Sequence, residues 1–497
     1  MTLLFRFSSN SHGIFRVPAF GNLAAAPRVC LIGKVVASGA GPAYDARTSG
    51  PIGSSIPLDF FSTFFKKELK TMSSPEKVSR RDLIKVGLAS AAIPAVAGLA
   101  GSPATAQAQT KPEVSFAAIP GQKGVQDVFG AYEVDPNWPQ PLTGLPGNEA
   151  WTWGSGEGVF AESPDRVFIL QRGELPNIKR PKEIDLPQLG PSLGFPIGRL
   201  PWRDATSASP PGQLDGPNRG TENVDWRWQH CIVGVNAKGE IKETWPEWDS
   251  MLRRPHAIYI NPYDKDRNVW LVDDYRHSIF KFSHDMKKLL QTLGTPNVSG
   301  ADATHFSRPT YLAWLPDSTM FVADGYTGTR VAKFDKDGKF IGEFGQKGTP
   351  PNETRPGYIN GVHGVAVDVP SGRVFVNDRY NHRVQVFDTS GKFVNMWKVG
   401  DPPSDVHCLH LAAADRHLWL FDRGTNKMIK YDLEGNFLYA FGTFGDFPGG
   451  FWGVHGMDVD QDGNLYVAEV DNGRAQKFMP RKGANPAMLI GPAVKPI

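Results

Sequence analysis

The sequence predicts an all-β fold, a six-bladed β-propeller with a long proline-rich insertion in its first blade. Three observations predict it. One pattern returns at 256, 309, 363, 407 and 455, or roughly every fifty residues, the period of a propeller blade. Each copy is a string of short apolar runs, as in PHAIYI, NVWLVDD and HSIFKF. Turns of the type DKDGKF, DTSGKF and DLEGNF separate the third run from the fourth, and the 41 prolines and 53 glycines suit many short strands joined by turns.

The elements follow in order along the 497 residues. Residues 1–71 carry no motif and read as an extension of doubtful standing, with Met72 as the expected start. Residues 72–108 read as a twin-arginine signal peptide: Ser79-Arg80-Arg81-Asp82-Leu83-Ile84-Lys85 precedes the mild Ala/Gly-rich run Val86–Ala100, and Ala104-Thr105-Ala106 and Ala106-Gln107-Ala108 are small-x-small cleavage sites. The apolar run is shorter than the ~20 residues of a membrane span. The motif predicts export by the twin-arginine translocase to the periplasm or beyond. Residues 109–150 read as a Pro/Gly-rich leader, and 151–497 as the propeller.

Blade one opens near Trp151 with GEGVFAE and RVFILQR, and resumes at HCIVGVNAKGEIKETW. The interruption, about 173–228, is crowded with proline; a connection this long in a compact domain is functional or unstructured. The other blades begin near 251, 305, 358, 403 and 450. The outermost strand of the last blade could come from the segment near Phe129 or from Met488-Leu489-Ile490.

Charge excludes some functions. Lys+Arg 54 against Asp+Glu 51 gives no basic surface for nucleic acid. Cys30, Cys231 and Cys408 form no CxxC pair, so a disulfide framework is not expected.

The chemistry-bearing signal is a histidine in one slot of alternate copies: His256 in PHAIYI, His363 in VHGVAVD and His455 in VHGMDVD, with Pro309 read into the slot of blade three and His407 into that of blade five. A lone histidine opening a buried strand more often caps backbone groups. Three in alternate blades, about 120° apart on a ring, would converge on the axis as metal ligands do. Three neutral imidazoles with an open fourth position suit zinc; iron or another divalent ion also fits. His407 reads as a satisfied polar core residue. The antiparallel meander puts the position after each second strand at the same end of the ring: Arg172, Asp274, Gly325 with Tyr326 beside it, Arg379, Arg423 and Val470. Arginines beside a cation favour a carboxylate-bearing substrate. Next to those charges the Tyr326 phenol would ionise more easily and could act as a base. His230, Trp226 and Trp228 read as packing.

The DxxGxF turns are of the NHL-repeat kind, and over 151–480 the residues resemble the peptidyl-α-hydroxyglycine α-amidating lyases, six-bladed NHL propellers. The resemblance implies that His256, His363 and His455 hold the catalytic metal, that Arg172 (VFILQRG) and Arg379 (VFVNDR) face the substrate, and that Tyr326 (ADGY) is the catalytic tyrosine. It also implies a structural calcium at the carbonyls of Val159 and Ile258 with an aspartate after the third histidine. That aspartate is Gly456 here, which removes a calcium ligand, and Gly453 replaces a methionine, which implies a roomier or differently shaped pocket. The implied reaction is lyase cleavage of a carbinolamide or similar hemiaminal. The competing readings are a propeller hydrolase that opens lactones, whose sites rely on carboxylate ligands that this histidine column does not show, and a non-catalytic binding scaffold.

Overall fold

The computed structural model describes residues 127–178, 183–185, 194–196 and 222–495. The twin-arginine motif, its cleavage sites and most of the proline-rich insertion lie outside the described residues. Six four-stranded antiparallel sheets form the blades. The inner three strands of blade six are Val454–Val459, Leu465–Glu469 and Arg474–Pro480, and the outermost is Tyr132–Asp135, which pairs from Tyr132 with Pro480 to Asp135 with Lys477. The ring therefore closes with a strand from the amino-terminal side, within the stretch that composition reads as a leader. The carboxy-terminal segment instead docks on that strand, Ile490 N–H donating to the buried Tyr132 hydroxyl at 2.7 Å.

Position in the blade decides composition. Second strands such as Met320–Asp324 and Leu418–Asp422 are buried along their whole length, because both faces meet neighbouring blades, and they are continuously apolar up to a terminal carboxylate. Outer strands such as Phe340–Phe344 alternate between half-buried and exposed positions. The turn aspartates have a direct cause. Asp335 Oδ1 accepts the N–H groups of Asp337 and Lys339, and Gly338 supplies the left-handed φ of +80° that closes the turn.

The terminal carboxylates of the second strands fix the approach to the site. Asp273, Asp324, Asp378 and Asp422 each accept a backbone N–H from the segment entering the inner strand of the same blade: Arg254 at 3.0 Å, Ser307 at 2.6 Å, Asn360 at 2.8 Å and Asp405 at 2.7 Å. A buried carboxylate that anchors backbone in this way holds the first residue of each inner strand in register.

Gly456, the position of the lost aspartate, is held open by close packing of blades six and one. A Cβ there would lie 2.9 Å from Gly158 Cα, 3.1 Å from Val159 N and 3.2 Å from Glu157 O. An aspartate does not fit against that backbone, so the calcium arrangement implied by resemblance is not supported. Gly456→Ala is expected to cost about 1–3 kcal/mol through overpacking, read as a lowered melting temperature; an unchanged melt would mean that the two blades can part without cost.

Candidate metal centre

Each inner strand enters from the same end of the ring, and the second residue of the repeat sits at a β-bulge. The first-to-second-strand register slips between Pro255 and Ala257, Val362 and Val365, and Val454 and Gly456, at His256, His363 and His455. A bulge frees one residue from the ladder and re-aims its side chain. The same slip falls between Gly156 and Gly158 in blade one, and between Pro309 and Leu312 in blade three. Pro309 pairs with Asp324 as Pro255 pairs with Asp273, so the slot in blade three belongs to Thr310, and the expectation that Pro309 fills it is corrected. The column around the axis thus reads Glu157, His256, Thr310, His363, His407, His455.

The three alternate histidines meet. Their rings are buried, with centroids 4.5–5.0 Å apart, and one ligand atom from each lies within 4.8 Å of the others. His256 Nε2 and His363 Nε2 are 3.2 Å apart. The Tyr326 hydroxyl lies over the group, 3.2 Å from His256 Nε2, 2.7 Å from His363 Nε2 and 3.3 Å from His455 Nε2. Two ligands at ~2.0–2.1 Å from a tetrahedral ion are about 3.3 Å apart, and the His256 and His363 Nε2 atoms stand at that separation.

The outer contacts prepare the nitrogens for that role. His363 Nδ1 donates to His407 O at 2.6 Å and His455 Nδ1 to Glu157 O at 2.8 Å, which leaves both Nε2 atoms as lone-pair donors toward the axis. Burial holds all three imidazoles well below the usual histidine range, with the neighbouring His455, Arg379 and His407 charges next in effect at His256, His363 and His455 respectively. The residues present therefore fit a divalent cation. Tyr311, which the sequence does not single out, floors the group: its ring lies 5.0 Å from His256 and 5.4 Å from His363, and its hydroxyl donates to His455 O.

Burial also has a consequence for the protein without metal. An unfolded chain protonates these histidines near pH 6.5, whereas the folded chain resists protonation until well below that. Stability is thus fully present above about pH 6.5 and falls as the pH drops beneath it, by up to about 1.4 kcal/mol per pH unit for each imidazole. Urea titrations of chelator-treated protein from pH 8 to pH 5 check this; a flat profile below 6.5 would contradict neutral burial.

Tyr326 reaches the axis because Gly325 permits it. A Cβ on Gly325 would lie 1.8 Å from Val362 O, so only glycine lets this turn abut the strand that carries His363. The phenol is buried, and burial pushes it up to about 12, outweighing the opposite pull of Arg379 and Arg172. The arginines alone thus do not ionise it.

Arg172 and Arg379 stand at the same end of the ring, and both are already engaged. Arg172 is buried against Glu157 at 3.0 Å, with Asp274 at 3.7 Å. Arg379 grips Asp405 with two hydrogen bonds, 2.6 and 2.9 Å, and donates to His407 Nε2 at 3.0 Å. His407 in turn donates from Nδ1 to Val454 O at 3.0 Å, which satisfies both of its nitrogens outside the histidine trio. The space expected at Gly453 is occupied. A Cβ there would lie 2.2 Å from Asp471 Oδ2, and Asp471 pairs with Arg423 at 2.7 Å. His230 bonds Glu174 at 2.9 Å, and Trp226 and Trp228 are core residues.

Several residues of the site escape the sequence reading. Glu157 is the blade-one member of the histidine column, and burial raises it to about 7 against the pull of Arg172. Arg308 donates from Nε to Asp274 at 2.8 Å and lies between two phenol rings, 4.2 Å from Tyr275 and 4.3 Å from Tyr326. Arg254 also lies over the Tyr275 ring, 4.4 Å from its centroid. The signal was present: Arg254-Pro255 before His256 and Arg308-Pro309 before Thr310 are the same dipeptide at the same point of the repeat.

Comparison with known proteins agrees with this architecture. A family model described as the NHL repeat matches residues 360–387, the first three strands of blade four. Peptidyl-glycine alpha-amidating monooxygenase B of Xenopus laevis is 30% identical over 264 residues, which cover 50% of this chain and 29% of that protein. Peptidyl-alpha-hydroxyglycine alpha-amidating lyase 1 of Drosophila melanogaster is 28% identical over 272 residues, 51% of this chain and 49% of that one. NHL repeat-containing protein 3 of Mus musculus is 26% identical over 263 residues, 48% of this chain and 71% of that one. The match spans less than half the length of the two amidating relatives. Among the described residues no helix is long and apolar enough to cross a membrane. The chain is a six-bladed propeller with an NHL repeat that has amidating lyases and amidating monooxygenases among its homologues.

Proposed function

We propose that this chain is an exported metal-dependent lyase that cleaves the C–N bond of a carboxylate-bearing hemiaminal, an α-hydroxyglycine-like substrate. The observation that carries the reading is the Tyr326 hydroxyl set within 3.3 Å of all three inward-facing histidine nitrogens. A divalent cation on those nitrogens, zinc in this reading, supplies Lewis acidity that makes a hydroxyl in its reach more acidic. Arg172 and Arg379 orient the substrate carboxylate from the rim, each pre-set by its own carboxylate partner. Burial alone holds the phenol protonated, and a cation on the three nitrogens would favour its ionised form, so Tyr326 acts as the phenolate. The phenolate takes the hydroxyl proton as the carbonyl forms and the C–N bond breaks, then gives that proton to the departing nitrogen, so an amide and an aldehyde acid such as glyoxylate leave and the phenolate is restored. Burial of the phenol and imidazoles keeps bulk water from this exchange. Export by the twin-arginine translocase on the Ser79–Lys85 motif, to the periplasm or beyond, belongs to the same proposal.

The test is release of glyoxylate from an N-acyl-α-hydroxyglycine by zinc-loaded protein, beside a panel of lactones. Glyoxylate formed well above the uncatalysed rate, and lost on chelation, is the expected result. Lactone opening without glyoxylate release would make the chain a hydrolase; neither activity in a metal-loaded protein would leave a binding scaffold.

A further inference from the structure

Three of the arginines at the site end of the ring are paired with carboxylates, and a fourth is not. Arg172 is paired with Glu157, Arg308 with Asp274, and Arg379 with Asp405. Arg254 stands beside them. Its backbone N–H is fixed by Asp273, and its guanidinium lies 4.4 Å over the Tyr275 ring, whose phenol also takes Arg308 at 4.2 Å. Among the described residues that guanidinium makes no hydrogen bond and no salt bridge, and its Nε is buried without a partner. Arg308, which shares the Tyr275 ring with Arg254, lies 4.3 Å from the Tyr326 ring, so Arg254 stands in the cluster that borders the catalytic tyrosine.

A guanidinium held over an aromatic ring and left with its donors unspent is a receptor for a planar anion. Desolvating its cation without a hydrogen-bonded partner is costly, so the site is incomplete until one arrives. Arg172 and Arg379 cannot fill this role for Arg254, and one shared substrate carboxylate on them leaves it unmatched. We propose that the substrate carries a second acidic group, a carboxylate, and that Arg254 binds it. The inference rests on the lyase reading and narrows it from monocarboxylates to dicarboxylic hemiaminals.

Calorimetric titration of the metal-loaded full chain with acetate, malonate, succinate and glutarate reads this directly, and it needs no turnover. At least one dicarboxylate is expected to bind ten times more tightly than acetate or better. Arg254→Gln is expected to bring that dicarboxylate down to the acetate level while leaving acetate unchanged, and Arg254→Lys to recover part of the difference. Metal content and melting temperature of both variants establish that they are folded. The proposal is overturned if no dicarboxylate exceeds acetate, or if Arg254→Gln weakens acetate as much as the dicarboxylate. A failure of the lyase reading looks different: acetate binding that ignores Arg172→Gln and Arg379→Gln, or glyoxylate release that never occurs.

Discussion

Replacing Tyr326 by Phe is expected to lower kcat on an N-acyl-α-hydroxyglycine by about 10²–10⁴-fold, the usual range for loss of a general acid–base group. Bound metal is expected to stay at the wild-type level. The substitution deletes one oxygen and keeps the ring, so the stack with Arg308 at 4.3 Å remains. His363 and His455 keep the backbone partners that orient them, since both are fixed through Nδ1 and not through the phenol. Metal analysis beside steady-state kinetics separates the outcomes. Retained turnover removes Tyr326 from the mechanism, and lost metal turns it into a ligand.

His363→Ala is expected to weaken metal binding by more than about 100-fold, since outer-shell changes alone cost 10–100-fold. Activity should vanish with it. His363 is the member of the trio with the shortest contact to Tyr326, 2.7 Å, and it is tied to blade five through His407 O. Its removal leaves two imidazoles, too few for a closed protein shell around a divalent ion. By contrast His407→Ala is expected to leave metal content intact, because His407 makes its bonds to Val454 and Arg379. Titration of both variants with zinc in the presence of a competing chelator distinguishes a trio from a quartet of ligands.

The blade count and the meeting of His256, His363 and His455 were legible because both depend on a period, and a period survives in the sequence even where individual residues vary. Register within a copy was less legible. Pro309 was read into the histidine slot although Arg308-Pro309 matches Arg254-Pro255 and places Thr310 opposite His256, because the spacing of the copies was counted without that match. Glu157 was missed for a related reason: blade one fills the column with a carboxylate, and a search for repeated histidines passes over it. The closing strand Tyr132–Asp135 is too short to stand out from its proline-rich surroundings, and its pairing with Arg474–Pro480 is a contact across nearly the whole described chain. The opposing effect of burial on the Tyr326 phenol was not legible, because charges can be counted in a sequence and burial cannot. Arg254 and Arg308 were readable as a repeated Arg-Pro pair, but their stacking on Tyr275 is a product of the folded ring.

Elemental analysis of the purified full chain, after dialysis and reloading with zinc, tests the account at its root. One divalent ion per chain, lost when any one of His256, His363 and His455 is replaced by Ala, is the predicted result. A folded chain that holds no stoichiometric metal under zinc loading, or that holds it equally well without these histidines, would contradict it.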